Sequence, residues 1–114
     1  MMPLHRVIKD FEDTVETVQE LNVKERYEFL HLEASVKLVD GTVLHVSEVW
    51  MEESLEKYSY YWLDKENQII TGWDNAPHHE NVETFPHHKH EQNEIKPSES
   101  MNGAKVLKEI QERL

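Results

Sequence analysis

Histidines that could transfer protons or bind a metal are concentrated in one short segment of this chain. Five of its 8 histidines fall between residues 78 and 90, many more than even spacing would place there. The tripeptide Pro-His-His occurs twice, at residues 77–79 and 86–88. No helix or strand period explains this repeat. We therefore expect the function of the chain to lie in residues 74–90.

Acid–base catalysis is the first interpretation of this segment. Imidazole titrates near neutral pH and both accepts and donates protons. Two imidazoles flanking a phosphodiester could cleave RNA without a metal, using the RNA 2′-hydroxyl as nucleophile, and Lys89 could stabilise the charge developing at phosphorus. Asp74 and Asn75 could orient the rings through hydrogen bonds. The candidate catalytic residues are His78, His79, His87, His88, His90, Asp74 and Asn75.

Metal binding is the second interpretation, and a purely structural loop is the third. His88 and His90 would lie on the same side of an extended strand. His78 or His79 could approach them from the first Pro-His-His. Asp74 could complete a site for zinc, nickel or iron. The candidate cofactor is thus a Zn or Ni ion, held by His78, His88 and His90; in the structural alternative, the prolines stiffen a loop whose histidines bond backbone carbonyls.

The charge balance and the missing cysteines limit the functions open to the chain. It has 12 Lys+Arg against 23 Asp+Glu, a net charge of -11 with neutral histidines. A protein that coats duplex nucleic acid needs a cationic surface, so this class is disfavoured. Cysteine is absent, which excludes disulfides, thiolate zinc sites and cysteine nucleophiles. No apolar stretch is long enough to cross a bilayer, and we expect a cytoplasmic protein without membrane association.

An antiparallel hairpin is the clearest structural element in the sequence. Residues 30–38 alternate apolar and polar side chains, Asp40-Gly41 marks a turn, and residues 43–50 return. A three-residue loop with a left-handed Gly41 aligns the apolar faces of both strands, whereas a one-residue slip would invert one of them. This register places Glu48 on the apolar face opposite Leu32. Burying a carboxylate without a partner is energetically unfavourable. We therefore expect Glu48 either to be solvated at the sheet edge or to belong to a functional site.

A second pair of strands presents aromatic side chains. Tyr58, Tyr60 and Trp62 alternate along residues 58–63 and are typical of a core face. Tyr61 lies on the opposite face, where its hydroxyl could approach the histidines. The candidate substrate-binding residues are Tyr61, Lys89 and Glu48.

The other segments complete a small α+β fold. The predicted elements are a helix at 3–11, a strand at 14–23, a polar connection at 51–57, strands at 58–63 and 68–73, a loop at 91–102 and a helix at 104–114, capped by Ser100 or Asn102. Residues 14–23 could instead continue the first helix, but their β-branched side chains favour a strand. We expect a single domain over residues 1–114. Its sheet is an antiparallel meander of four to five strands, with the N-terminal and C-terminal helices packed on one face.

Two motifs, residues 74–79 (DNAPHH) and 84–90 (TFPHHKH), resemble those of the TumE-like family of small prokaryotic toxins. The hairpin, Glu48, the 58–60 strand and the C-terminal helix occur in the family's order, so the resemblance covers roughly residues 28–114. It implies a toxin of a type II toxin–antitoxin system, encoded beside a DNA-binding antitoxin of helix-turn-helix or winged-helix type. Ribonuclease-like inhibition of translation is the common behaviour of toxins of this size. The family also implies a basic residue, suited to clamping phosphate, where this chain has Gly72.

Functions of other classes stay open beside a toxin that acts on RNA. An acidic surface also suits a non-catalytic binding protein that pairs with a basic DNA-binding regulator. A metal-binding protein built on the clustered histidines is a further alternative. An exposed edge strand could also join two copies into a homodimer.

Overall fold

Seven strands pair in chain order to form one antiparallel sheet. The computed structural model describes residues 1–114. Its elements are α1 (Leu4–Val7), a 3₁₀ turn (Ile8–Phe11), β1 (Val15–Arg26), β2 (Phe29–Leu38), β3 (Val43–Met51), β4 (Ser54–Leu63), β5 (Ile69–Asp74), β6 (His88–Glu91), β7 (Glu94–Pro97) and α2 (Gly103–Arg113). Neither helix has the length and apolar character that crossing a membrane requires.

The α+β class and the antiparallel meander are confirmed, but the predicted number of four to five strands is too low. The additional strands β6 and β7 lie where a histidine-rich segment and a polar loop were expected. Each has 4 residues and little apolar alternation, so pattern alone does not reveal it. Gln92 and Asn93 join them with φ values of 56° and 62°, as a tight hairpin turn requires. The predicted connection at 51–57 is also shorter, because β4 begins at Ser54.

The predicted hairpin register is confirmed. Leu32 pairs with Glu48 across β2 and β3. Gly41 has a φ of 88°, which glycine adopts without strain. The loop closes with the Leu38 N–H donating to the Thr42 carbonyl at 2.9 Å. Matching of the apolar faces therefore selected the correct loop length.

One face of the sheet carries the core. Alternating residues of β2, β3 and β4 are buried there together with Trp73 of β5. Both helices cover this face through their apolar side chains: Leu4, Val7, Val106, Leu107 and Ile110. The Asn102 side chain caps α2 by accepting from the Lys105 N–H at 2.9 Å. Of the two predicted caps, Asn102 is therefore the one that the structure shows. No helix covers the opposite face of the sheet, which we call the open face.

Glu48 lies within this core, with 0 % of its surface exposed. Its carboxylate accepts from the Leu4 N–H at 2.9 Å, from Trp50 Nε1–H at 3.1 Å and from the Tyr60 hydroxyl. These donors compensate for the loss of water around the charge. Glu48 thus ties α1 to the sheet and lies neither at a wet edge nor on the open face.

Candidate functional site

The pairing of β5 with β6 sets which side chains of the histidine-rich segment share a face. Asp74 pairs with His88 and Gly72 pairs with His90, whereas Lys89 pairs with the core residue Trp73. Because side chains alternate along a strand, both histidines point to the open face beside Asp74. Lys89 points to the helix side, which separates it from the histidines it was expected to assist.

Asp74 is the centre of the site and is 8 % exposed. Its Oδ2 accepts from the Tyr61 hydroxyl at 2.6 Å and lies 3.4 Å from Nε2 of His90. Its Oδ1 accepts from the Ala76 N–H at 3.0 Å and lies 2.9 Å from Nε2 of His88. Hydrogen bonds to a charged acceptor are the stronger kind. The carboxylate is therefore fixed by contacts from β4, from β6 and from the loop that follows β5.

His88 is the most buried histidine of the segment, with 1 % of its surface exposed. Its Nδ1 lies 2.9 Å from the Pro86 carbonyl. Because a carbonyl can only accept, this contact places a proton on Nδ1 and aims Nε2 at Asp74. His88 therefore holds the site together from within and has no surface from which to touch a substrate.

His79 from the first Pro-His-His completes the group. Its ring lies 4.8 Å from that of His88 and 5.7 Å from that of His90, centre to centre. One ring nitrogen from each of these histidines lies within 4.8 Å of the others. We call His79, His88, His90 and Asp74 the histidine cluster. Such an arrangement can exchange protons, contact an anion or hold a cation.

Burial and neighbouring charges perturb the ionisable groups of the site. Burial lowers the pKa of His90 below its ordinary value of 6.5; Asp74 opposes this shift, whereas His88 and His79 reinforce it. Burial also raises the pKa of Tyr61, and the hydrogen bond to Asp74 and its charge add to this effect. Near neutral pH, His90 is therefore mainly the neutral imidazole, and Tyr61 keeps its proton.

A groove of about 650 Å³ runs along the open face beside the histidine cluster. Its polar lining comes from β3, β4, the end of β5 and the following loop: Ser47, Glu56, Lys57, Ser59, Tyr61, Asp74, Asn75 and His78. His78 is exposed, and its N–H donates to the Ala76 carbonyl at 2.9 Å in a tight turn. Lys57 was not among the predicted site residues. Its spacing of four from Tyr61 along β4, which places both on one face, was the available signal.

His87 and Asn75 lie beside the core residue Tyr58. Nδ1 of His87 is 2.8 Å from the Tyr58 hydroxyl, and the two rings stack. Burial, followed by the effect of His88, lowers the pKa of His87, and burial raises the pKa of Tyr58 to about 12. The Asn75 side chain accepts from the Tyr58 N–H at 3.0 Å and donates to the Glu56 carbonyl at 2.9 Å. The Asn75 side chain therefore satisfies backbone groups of β4 beyond the last residue pair of β4 and β5. It also borders the groove.

The predicted site residues thus fall into separate groups. His79, His88, His90, Asp74 and Tyr61 come together on the open face, and His78 and Asn75 line the adjoining groove. His87 packs against a core tyrosine, Lys89 points to the helix side, and Glu48 is buried beneath α1.

Gly72 makes room for the Tyr61 ring. A Cβ atom at residue 72 would lie 2.4 Å from Tyr61 Cε1. We expect Gly72→Ala to displace the ring, break its bond to Asp74 and lower the free energy of unfolding by about 1–3 kcal/mol. Urea denaturation measures this loss. In a Tyr61→Ala background the clash is gone, so an equal loss from Gly72→Ala in both backgrounds would contradict the explanation.

Comparison with known proteins places this arrangement in a family. The family model described as Toxin TumE matches residues 4–114, from α1 through α2. No curated protein and no solved structure matches the chain. The resemblance in the two Pro-His-His motifs is therefore confirmed over nearly the whole sequence, and the chain belongs to the TumE family of toxins.

Proposed function

We propose that this chain is the toxin of a type II toxin–antitoxin system and that it inhibits translation by cleaving RNA. Membership of the TumE family supports the toxin role and an antitoxin partner. The observation that carries RNA cleavage is a single groove that combines a proton-transferring histidine, a hydroxyl tied to a carboxylate, and a cation. These groups are His78, Tyr61 with Asp74, and Lys57.

RNA brings its own nucleophile to this reaction. The 2′-hydroxyl oxygen attacks the adjacent phosphorus and loses its proton to a base, while the 5′-oxygen leaves and takes up a proton. The products are a 2′,3′-cyclic phosphate and a 5′-hydroxyl. The protein must supply proton transfer and stabilise charge at phosphorus, and no covalent intermediate on the chain is needed.

We propose roles for three polar side chains that line the groove. His78 is exposed on its rim, where the imidazole can exchange a proton with the reacting RNA. The Tyr61 hydroxyl donates a hydrogen bond to Asp74 at 2.6 Å, which leaves lone pairs on its oxygen to accept a hydrogen bond from the ribose. Lys57 offers the charge that a phosphate contact needs. The histidine cluster behind the groove keeps Asp74, and through it Tyr61, in place.

The charge of the chain also bears on the form of the RNA. A net charge of -11 repels a long polyanion. A short single-stranded segment places few phosphates against the protein and leaves the bases unpaired for contact. We therefore propose that the substrate is a single-stranded stretch of RNA that enters the groove past Lys57.

Two lysines on opposite faces of the sheet test the site of RNA contact. We expect Lys57→Ala to slow cleavage by about ten- to a hundredfold, the effect of losing one charged hydrogen bond. Lys89→Ala is the matched control, because Lys89 pairs with Trp73 and points to the helix side. Initial rates on end-labelled single-stranded RNA give the comparison. Equal losses in both variants would place RNA elsewhere, and intact RNA with the wild-type protein, with or without divalent metal, would refute the nuclease proposal.

We propose in addition that the antitoxin is a basic DNA-binding protein of helix-turn-helix or winged-helix type. The strongly acidic chain supports this pairing, because opposite net charges speed association. Association should weaken as salt is raised. A partner that binds the chain while RNA stays intact would leave pairing with a regulator as its activity.

A further inference from the structure

We propose that the histidine cluster is a binding site for one zinc-like divalent cation, with His79, His88, His90 and Asp74 as ligands. These residues come from the end of β5, the loop after it and β6, and their side chains meet on the open face. The inference concerns metal binding itself and does not depend on RNA being a substrate.

The distances in the cluster approach those of a tetrahedral site. Nε2 of His90 lies 3.4 Å from Oδ2 of Asp74, and Nε2 of His88 lies 2.9 Å from Oδ1. Two ligands held about 2.0–2.1 Å from zinc in a tetrahedron are roughly 3.4 Å apart. The histidine nitrogens lie within 4.8 Å of one another. His79 belongs to a loop and is partly exposed, so its side chain can turn toward the others.

The surroundings of His88 suit a metal ligand. Nδ1 faces the Pro86 carbonyl at 2.9 Å and donates its N–H there. This leaves Nε2, which lies 2.9 Å from Oδ1 of Asp74, as the atom that can coordinate a metal beside the carboxylate. Metal-bound histidines commonly donate their second N–H to a backbone carbonyl in this way.

The contacts of Asp74 fit the same role. Tyr61 donates to Oδ2 at 2.6 Å and Ala76 donates to Oδ1 at 3.0 Å, which orients the carboxylate toward the histidines. Metal-ligating carboxylates are themselves hydrogen-bonded in this manner. The His90 side chain is 28 % exposed, so an ion can enter from solvent.

The donor set points to the class of metal. Three imidazoles and one carboxylate suit zinc and the neighbouring transition metals cobalt and nickel. Magnesium and calcium prefer all-oxygen sites and are disfavoured. Zn²⁺ is the probe for affinity, and Co²⁺ reports geometry because it absorbs visible light strongly in a tetrahedral site.

The test uses the full chain, freed of metal with a chelator and dialysed. Calorimetric titration with Zn²⁺ should show one equivalent bound, Co²⁺ should give tetrahedral absorption bands, and Zn²⁺ should raise the Tm until chelator is added. We expect His79→Ala and His90→Ala each to weaken Zn²⁺ binding by about tenfold or more, the least that disturbing a metal site usually costs. His78→Ala, next to His79 but outside the cluster, should bind as the wild type does.

Melting each variant without metal separates the loss of a ligand from the loss of the fold. A variant that melts like the wild type but binds Zn²⁺ weakly supports the proposal. Binding of less than one equivalent by the wild type, or equal affinity in His79→Ala and His78→Ala, would overturn it. Cleavage of RNA by metal-free protein would preserve the proposed function even if no Zn²⁺ binds, and intact RNA would not affect the metal result.

Discussion

Replacing His78 with alanine is expected to abolish growth arrest in a bacterial host while leaving the protein folded. His78 is the histidine that lies exposed along the groove. Loss of a group that transfers protons in the transition state typically slows a reaction by about 10²–10⁴-fold. Growth after induced expression gives the cellular result, and the rate of RNA cleavage by the purified variant gives the chemical one.

His31→Ala is the matched control for this experiment. His31 lies on β2, is partly exposed and contacts Glu33 at 3.4 Å, outside the groove. It should arrest growth as the wild type does. Undiminished arrest by His78→Ala would show that another group transfers the proton, whereas equal loss in both variants would show that histidine removal acts through general damage to the protein.

The largest loss of stability is expected for Glu48→Ala. This substitution leaves the Leu4 N–H, the Trp50 Nε1–H and the Tyr60 hydroxyl without their acceptor. It also detaches α1 from the sheet. Each buried donor left unsatisfied costs about 1–3 kcal/mol, so the combined loss is a large share of the stability of a small domain. Urea denaturation and the Tm measure the loss.

Two further substitutions define the role of the Glu48 charge. Glu48→Gln keeps the side-chain volume and one carbonyl acceptor, so it should cost less than Glu48→Ala. Glu33→Ala removes an exposed carboxylate from the neighbouring strand and should change the Tm little. A Glu48→Ala protein as stable as the Glu33→Ala protein would contradict the role assigned to the buried network.

The hairpin of β2 and β3 shows what the local sequence pattern can predict. Alternation of apolar residues, with the conformational freedom of Gly41, was enough to predict that Leu32 pairs with Glu48. The information is local, because a slip of one residue would expose a whole apolar face. The same reasoning did not predict the hydrogen-bond partners of Glu48. Its partners Leu4 and Tyr60 lie 44 and 12 residues away, and no local pattern shows that they converge on one carboxylate.

β6 shows why the sequence alone could not predict which side chains of the histidine-rich segment come together. A strand of 4 polar residues is stabilised by its pairing with β5 and β7, not by its own composition. Once the pairing is known, alternation places His88 and His90 on one face and Lys89 on the other. Sequence spacing likewise left open whether His78 or His79 joins the cluster, and the path of the loop brings in His79.

By itself, the sequence determined the α+β class, the meander, the register of the central hairpin and the resemblance to the TumE family, and it indicated residues 74–90 as the candidate functional segment. Only the tertiary structure decided that Asp74 is the centre of the site, that Lys57 instead of Lys89 lines the groove and that Glu48 belongs to the core. The physical reason is the range of the interactions. Periodicity and turn chemistry act between near neighbours in the chain, whereas the surroundings of a side chain are set by strand pairing and loop paths that join distant residues.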